Sequence, residues 1–414
     1  MLDTQDFAEE LNEKEYTLLT NRGNYMRMLK ICFVTTVYGT FRTFIRPLCD
    51  YLYETEKFEM SLICDNKDSR MKGDLPDYIA YYPIPMKRGI DFCGIGIVLK
   101  MITIFKSNHF DIVQYTTPNA SLYASIASKI AKVPVQLYFQ WGIRYSSMNG
   151  IKKRVFKSFE KLVCSLSTEI RVASKKNMEY AVTEKLYRDE KAMVIGHGGT
   201  IGVDLNEYRL INKAEYRNSI RKHYAIHESD IVFGFAGRIT SEKGCNELLV
   251  AFRKLLEVTQ NVKLFIIGPF EDDKQLSSQM IEWAQNNSNV IFTGRRPKQD
   301  MVQYYSAMDV YIHPTYREGF GMVLQEAAAM ELAIITSDVP GASEVMVNGV
   351  SCFLVPPKNV TSLCLCMEYL IKNDDIRLQL GKEARKRVEM YFERSVMLSN
   401  QHMNYNDIYM RYFM

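Results

Sequence analysis

Residues 230–244 read DIVFGFAGRITSEKG. The first seven are dominated by apolar, aromatic and β-branched side chains, the composition of a buried strand. Gly237 follows and lets the backbone turn tightly. Arg238 and Lys243 flank the turn, and Lys243 lies where the next helix is expected to begin. A helix N-terminus presents unbonded N–H groups and a partial positive charge, so two cations beside it make a place for an anion. Surface charge around an ordinary strand-to-helix turn has the same appearance, so the stretch alone decides little about chemistry.

Its position decides more about the fold. Strand-like runs follow at 262–267, 290–293, 310–313, 333–336 and 352–355, with helical patterns between them. An earlier series begins at 28–37 (MLKICFVTTV) and continues at 60–64, 79–82, 112–115, 135–139, 169–172 and 192–195. Helical patterns such as 96–105 and 119–131 separate those runs. Alternation of this kind predicts a parallel sheet with helices on both faces. The series restarts after a polar stretch at 204–218, so two doubly wound α/β domains are expected. We divide the chain into an N-terminal arm (1–26), a first Rossmann-like domain (27–200), a second (201–385) and a C-terminal helix (386–414) expected to pack back on the first. Ligands of such sheets bind at the carboxyl ends of the strands, so the cleft between the domains is the expected site.

Composition narrows the class. The 414 residues are 47% hydrophobic and 24% charged, as in ordinary globular domains. No uninterrupted apolar run approaches roughly eighteen residues, so no spanning helix is expected. Residues 1–26 are acidic and polar, unlike a signal peptide. The nine cysteines show no metal-ligand spacing and predict reduced thiols in a cytoplasmic protein. The net charge of +4 conceals an asymmetry: −4 over residues 1–26, +10 over 27–200 and −2 over 201–414. The basic first half suits a solvated surface or an anionic membrane face. It carries no aromatic-stacking motif of a nucleic-acid binder, and no nucleic-acid partner is expected.

A second stretch carries the chemistry. Residues 317–330 read REGFGMVLQEAAAM. Gly319 and Gly321 allow close approach of the main chain, and the amides near Gly321, Met322 and Val323 can face a phosphate. Glu318 in the loop can accept hydrogen bonds from sugar hydroxyls. Glu326, about one turn into the helix, can take a pair of ribose hydroxyls, or it can simply be a solvated helix residue. Two carboxylates around an anion site match a nucleotide-sugar, which has a diphosphate between two groups of hydroxyls. Both stretches stand at strand ends of one domain, about 80 residues apart.

Three motifs together, GRITSEKG (237–244), REGFGMVLQEAAAM (317–330) and PGASEVMVNGVSCFLVPP (340–357), resemble the retaining glycosyltransferases of family 4, which have the GT-B fold. In the first half, FDIVQYTTPNASLYASIASKIAKVPV (110–135), FQWGIRY (139–145) and GHGGTIGVDLNEY (196–208) look like the branch of that family that builds capsules, exopolysaccharides or O-antigens on a lipid carrier. The resemblance implies that Arg238 and Lys243 hold the donor diphosphate and stabilise the leaving nucleotide. It implies that Glu318 binds the transferred sugar, that Glu326 binds the ribose, and that Phe320 and Gly321 bring main-chain groups to the sugar. Arg295, in TGRRPKQ (293–299), would lie near the base, and a Gly39 loop would reach the diphosphate from the opposite domain. The implied donor is a UDP-sugar and the implied acceptor a polyprenyl-diphosphate-linked saccharide. No metal or other cofactor is expected, since no Asp-x-Asp motif stands beside the site.

Two positions depart from the family. Only Gly39 stands where many members have a glycine pair, with Arg42 and Arg46 as substitute phosphate contacts. Gln140-Trp141-Gly142 replaces a histidine that many members carry. His197 is a lone histidine in a Gly-rich segment, more often structural than catalytic. On the acceptor side, residues 151–163 (IKKRVFKSFEKLV) place Ile151, Val155, Phe159 and Leu162 on one helical face with lysines around it. Such a helix either packs on the sheet or lies on an anionic membrane. Residues 86–106 add a second basic and apolar surface, and a peripheral place on the inner face of the membrane is expected. The runner-up readings are an epimerase or phosphorylase on the same fold, or transfer to a soluble acceptor.

Overall fold

The computed structural model describes residues 28–55, 58–68, 71, 73–86 and 94–414. The expected N-terminal arm, and residues 87–93 of the second basic surface, lie outside the described residues. Among the described residues thirteen strands form two sheets. The first holds β1 (Lys30–Val37), β2 (Glu59–Asp65), β3 (Ile79–Pro83), β4 (Ile112–Tyr115), β5 (Val135–Gln140), β6 (Glu169–Val172) and β7 (Ala192–Met193). The second holds β8 (Ile231–Ala236), β9 (Val262–Ile267), β10 (Val290–Gly294), β11 (Val310–His313), β12 (Ala333–Ser337) and β13 (Phe353–Val355). The orders are β3-β2-β1-β4-β5-β6-β7 and β10-β9-β8-β11-β12-β13. Neighbouring strands run parallel throughout.

Strands covered by helices on both faces are apolar along their whole length rather than alternating. That is why every strand run expected from the sequence is found, with shifts only at the ends. In each sheet the order reverses beside the first strand, between β1 and β4 and between β8 and β11. Loops diverge at these points and leave a crevice at the carboxyl edge.

Each sheet has a core on each face. The helix Arg394–Phe413 puts Leu398, Tyr405 and Ile408 into the core of the first sheet, beside Phe33, Phe41 and Leu52. The two domains also share a core at their junction, where Ala173 and Val203 pack with Phe320, Phe392 and Met397.

Two local expectations are corrected or resolved. Gly39 does not sit in a loop. Tyr38–Phe44 is a helix that starts directly after β1, because Tyr38 and Phe41, three residues apart, bury together beneath it. The apolar stripe of the helix Gly150–Leu166 does not pack on the sheet. Ile151 is 79% exposed, and Val155, Phe159 and Leu162 also face outward, while Val163 and Cys164 are the buried pair. Ile95 and Leu99 of the helix Gly94–Asn108 are exposed as well. No described helix is long and apolar enough to cross a membrane.

Candidate active site

The loop after β8 and the loop after β11 are stitched together residue by residue. Tyr316 N donates to Glu242 O at 2.9 Å. The Arg317 guanidinium pairs with the Glu242 carboxylate. Lys243 Nζ lies 2.7 Å from Glu318 Oε2. The motifs at 237–244 and 317–330 thus form one structure. The first loop is anchored from a third side, where Ser241 N and Oγ donate to Asp273 Oδ2 at 2.7 and 2.6 Å.

Glu318 Oε2 also meets His313 Nε2 at 2.8 Å. His313 ends β11 and is buried. Burial works against a charge on Glu318, yet Lys243 and His313 outweigh it and hold the carboxyl well below its usual range. Burial likewise lowers the His313 pKa, and the neighbouring carboxylate does not reverse that. A neutral His313 that donates Nε2–H to an ionised Glu318 satisfies both groups. It leaves Nδ1 without a partner among the described residues, as found. The expected separate roles of Lys243 and Glu318 therefore begin from a direct ion pair.

The remaining expected residues are spread over several places. Arg238 and Glu318 line the main interdomain cleft, of about 1010 Å³. Arg238 is half-exposed and turns to Glu271, at 2.7 Å, through a loop contact that no sequence signal announced. Gly39 and Arg295 face each other across an adjoining groove, one from each domain. Arg42 and Arg46 are taken up by Asp74, at 3.0 and 2.7 Å. Gly237 makes the turn after β8, its N–H donating to Ile267 O at 2.9 Å. Gly321, at φ 64°, starts the helix Met322–Ala329, whose first residues, Met322 and Val323, are half-buried. One turn further in, Glu326 Oε2 accepts from Tyr305 OH at 2.9 Å. Burial raises its pKa, and Tyr208 lies beside it.

Phe320 points into the shared core, 5.4 Å from the Phe392 ring centroid to its own, so only its main chain is left for a ligand. Gly319 is set by the opposite domain. A Cβ there would lie 2.3 Å from Trp141 O, which no side chain tolerates. Close by, Asn177 Nδ2 donates to Gly319 O at 3.3 Å, and Lys176 Nζ reaches Asp338 at 3.0 Å. The Trp141-Gly142 departure from the family pattern is thus a packing contact between domains.

Gln140 is buried, donating to Glu160 Oε1 at 2.6 Å and accepting from Tyr187 OH at 3.0 Å. His197 packs against Tyr391, ring centroids 3.9 Å apart and planes tilted by 42°. Sequence reasoning passed over His313 and Glu160. The signals existed: a histidine closing an apolar strand five residues before Glu318, and a single acid in the basic run 151–163.

Two doubly wound parallel-sheet domains that meet across this cleft have the GT-B architecture. The glycosyl transferases group 1 family matches residues 216–387, and the glycosyl transferase 4-like family matches residues 30–174. The chain is 32% identical over 325 residues to the capsular polysaccharide biosynthesis glycosyltransferase CapM of Staphylococcus aureus, covering 78% of this chain and 84% of CapM. It is 24% identical over 307 residues to the N,N'-diacetylbacillosaminyl-diphospho-undecaprenol α-1,3-N-acetylgalactosaminyltransferase of Campylobacter jejuni, covering 72% of this chain and 78% of that enzyme. The crystal structure of Anabaena HepE in complex with UDP and glucose superposes with a TM-score of 0.74 at 17% identity, covering 92% of this chain and 100% of HepE. The chain belongs to the family 4 glycosyltransferases.

Proposed function

We propose that the enzyme transfers a hexose or N-acetylhexosamine from a UDP-sugar, with retention of configuration, to a polyprenyl-diphosphate-linked saccharide during bacterial surface polysaccharide assembly. The observation that carries this is the Lys243–Glu318–His313 cluster at the junction of two loops on the cleft wall. The likeness to CapM supports the polysaccharide setting, the Campylobacter relative's name supports the lipid-linked acceptor, and the HepE complex supports UDP.

In this reading the bond from the anomeric carbon to the β-phosphate oxygen breaks, and its electrons leave with UDP. Lys243 and Arg238 offset the charge that builds on the diphosphate, helped by the amides of Gly321, Met322 and Val323. Arg238 exchanges Glu271 for phosphate oxygen when the donor arrives. The acceptor hydroxyl forms its bond on the face the diphosphate leaves, and its proton passes to the departing phosphate oxygen. Glu318, kept ionised, accepts hydrogen bonds from the donor sugar hydroxyls. Glu326 takes the ribose, and Arg295 and Gly39 close the base and diphosphate end. Charge stabilisation comes from these side chains without a metal. The exposed stripe of Ile151, Val155, Phe159 and Leu162, with lysines around it, rests on the inner membrane face.

The test is incubation of purified protein with UDP-sugars and a short-chain polyprenyl diphosphosaccharide, with EDTA in one arm. The expected product carries one added sugar in the donor's anomeric configuration and forms equally in both arms. An inverted product, dependence on metal, or transfer only to soluble saccharides would overturn the corresponding part.

A further inference from the structure

A side pocket of about 130 Å³ opens off the first-domain wall of the cleft, between the helices Pro118–Ala131 and Gly150–Leu166. It shares Tyr138, Arg144 and Glu160 with the main cleft. That size lies below the range of whole-ligand sites, roughly 300–1,000 Å³, and suits one substituent of a larger ligand. Three features of its lining are left over by the reading above.

First, Glu160 is tethered by one oxygen only. Tyr138 OH and Gln140 Nε2 both donate to Oε1, at 2.8 and 2.6 Å. Among the described residues Oε2 receives nothing, and the residue stands half-buried on the wall of both pocket and cleft. Second, the side-chain oxygens of Ser121 and Tyr145, residues each 1% exposed, have no hydrogen-bond partner among the described residues. Buried polar atoms are almost always satisfied, so two orphans on one small pocket imply a missing partner. Third, Leu122 and Phe156 line the same space and supply an apolar surface.

We propose that this pocket receives the acetamido group of the acceptor sugar. The inference rests on the lipid-linked acceptor reading above and deepens it. An acetamido group has one N–H, one carbonyl and one methyl. Glu160 Oε2 accepts the N–H, Tyr145 OH and Ser121 Oγ donate to the carbonyl, and the methyl lies against Leu122 and Phe156. A sugar with a plain hydroxyl at that carbon leaves the methyl surface empty and the two buried oxygens unmet. Sites built on buried hydrogen bonds reject such analogues strongly. Arg144 stands at the shared mouth, where the acceptor diphosphate would pass.

Calorimetry tests this with UDP present. The probes are short-chain polyprenyl diphospho-N-acetylglucosamine and its glucose counterpart. Wild-type protein should bind the acetamido probe at least tenfold more tightly. Glu160→Gln keeps an oxygen for Tyr138 and Gln140 but turns an NH₂ toward the pocket. Tyr145→Phe deletes an orphan hydroxyl, a change that leaves stability equal or higher if the hydroxyl serves only the ligand. Each variant should lose most of the preference at unchanged UDP affinity. Equal affinity for the two probes overturns the pocket assignment and leaves the lipid-linked reading standing. Binding of UDP with binding of neither lipid probe overturns both. Variants that keep the full preference overturn the roles of Glu160 and Tyr145.

Discussion

The two walls of the cleft handle their polar groups in opposite ways. On the second-domain wall nearly every charge is spoken for: Lys243 by Glu318, Glu318 also by His313, Arg317 by Glu242, Arg238 by Glu271. Among the described residues, Thr116 on the first-domain wall and Ser121 and Tyr145 in its side pocket hold oxygens with no partner, and Glu160 commits one oxygen of two, whereas His313 Nδ1 is unmet on the second. A prewired wall must trade protein ion pairs for ligand phosphates, so its binding depends on charge. An unsatisfied wall makes bonds that had no predecessor, so its binding depends on shape and hydrogen-bond count. That difference suits a donor with a fixed diphosphate and an acceptor whose identity must be read.

The contrast can be broken in graded steps. Lys243→Ala removes the cation proposed to meet the donor diphosphate, and transfer should fall roughly 10²–10³-fold in kcat, the usual cost of deleting one preorganised charge donor. Steady-state kinetics that match wild type would put the diphosphate elsewhere. Gly319→Ala should come next. The new Cβ would collide with Trp141 O and push the two walls apart. A shift near 1 Å in a positioning contact can cost on the order of 10²-fold in transfer. UDP binding should fall far less, because apart from Gly39 its proposed contacts lie within the second domain.

A third change sharpens the comparison from the membrane side. Ile151→Asp with Val155→Asp should weaken binding to anionic vesicles about tenfold or more. It should leave transfer to a detergent-solubilised short-chain acceptor intact and cost little stability, since both residues face solvent. Vesicle sedimentation reads the first outcome and thermal unfolding the second.

The smallest expected effect is on pH dependence. His313 is held below its ordinary 6.5, so the unfolded chain binds a proton there before the folded chain does. Stability therefore falls as pH drops below about 6.5 through the depressed folded value. His197 is shifted the same way by burial and Arg387. His313→Gln should flatten part of that slope below the ordinary 6.5 in denaturant titrations. Glu318 acts at lower pH. Its contribution is present above the ordinary carboxylate value of 4.5 and is lost as pH falls through its depressed value.

Much of the fold was legible because buried parallel strands read as apolar runs, and the glycines and charges of 237–244 and 317–330 mark strand-to-helix turns. What was hidden depends on contacts between distant segments. The tie from Arg238 to Glu271 spans 33 positions and joins two loops. The helix Tyr38–Phe44 exists because two aromatic rings bury together, a fact about the sheet beneath rather than about Gly39. Trp141 stands in the triplet that replaces a family histidine, and its contact with the second domain is visible only once Gly319 lies against it. Glu160 was masked by the lysines around it, which advertise a surface helix while its carboxylate faces inward. Charge and glycine spacing in the sequence thus mark the second-domain wall. The first-domain wall uses common residues at no fixed spacing.

The measurement that bears most directly on the two-wall account is UDP affinity in three proteins: wild type, Lys243→Ala and Glu160→Gln. The expected result is a loss of at least about tenfold for Lys243→Ala, the deletion of one charge-assisted contact, with no change for Glu160→Gln. Wild-type UDP affinity in Lys243→Ala, or an equal loss in both variants, would contradict the separation of donor and acceptor walls.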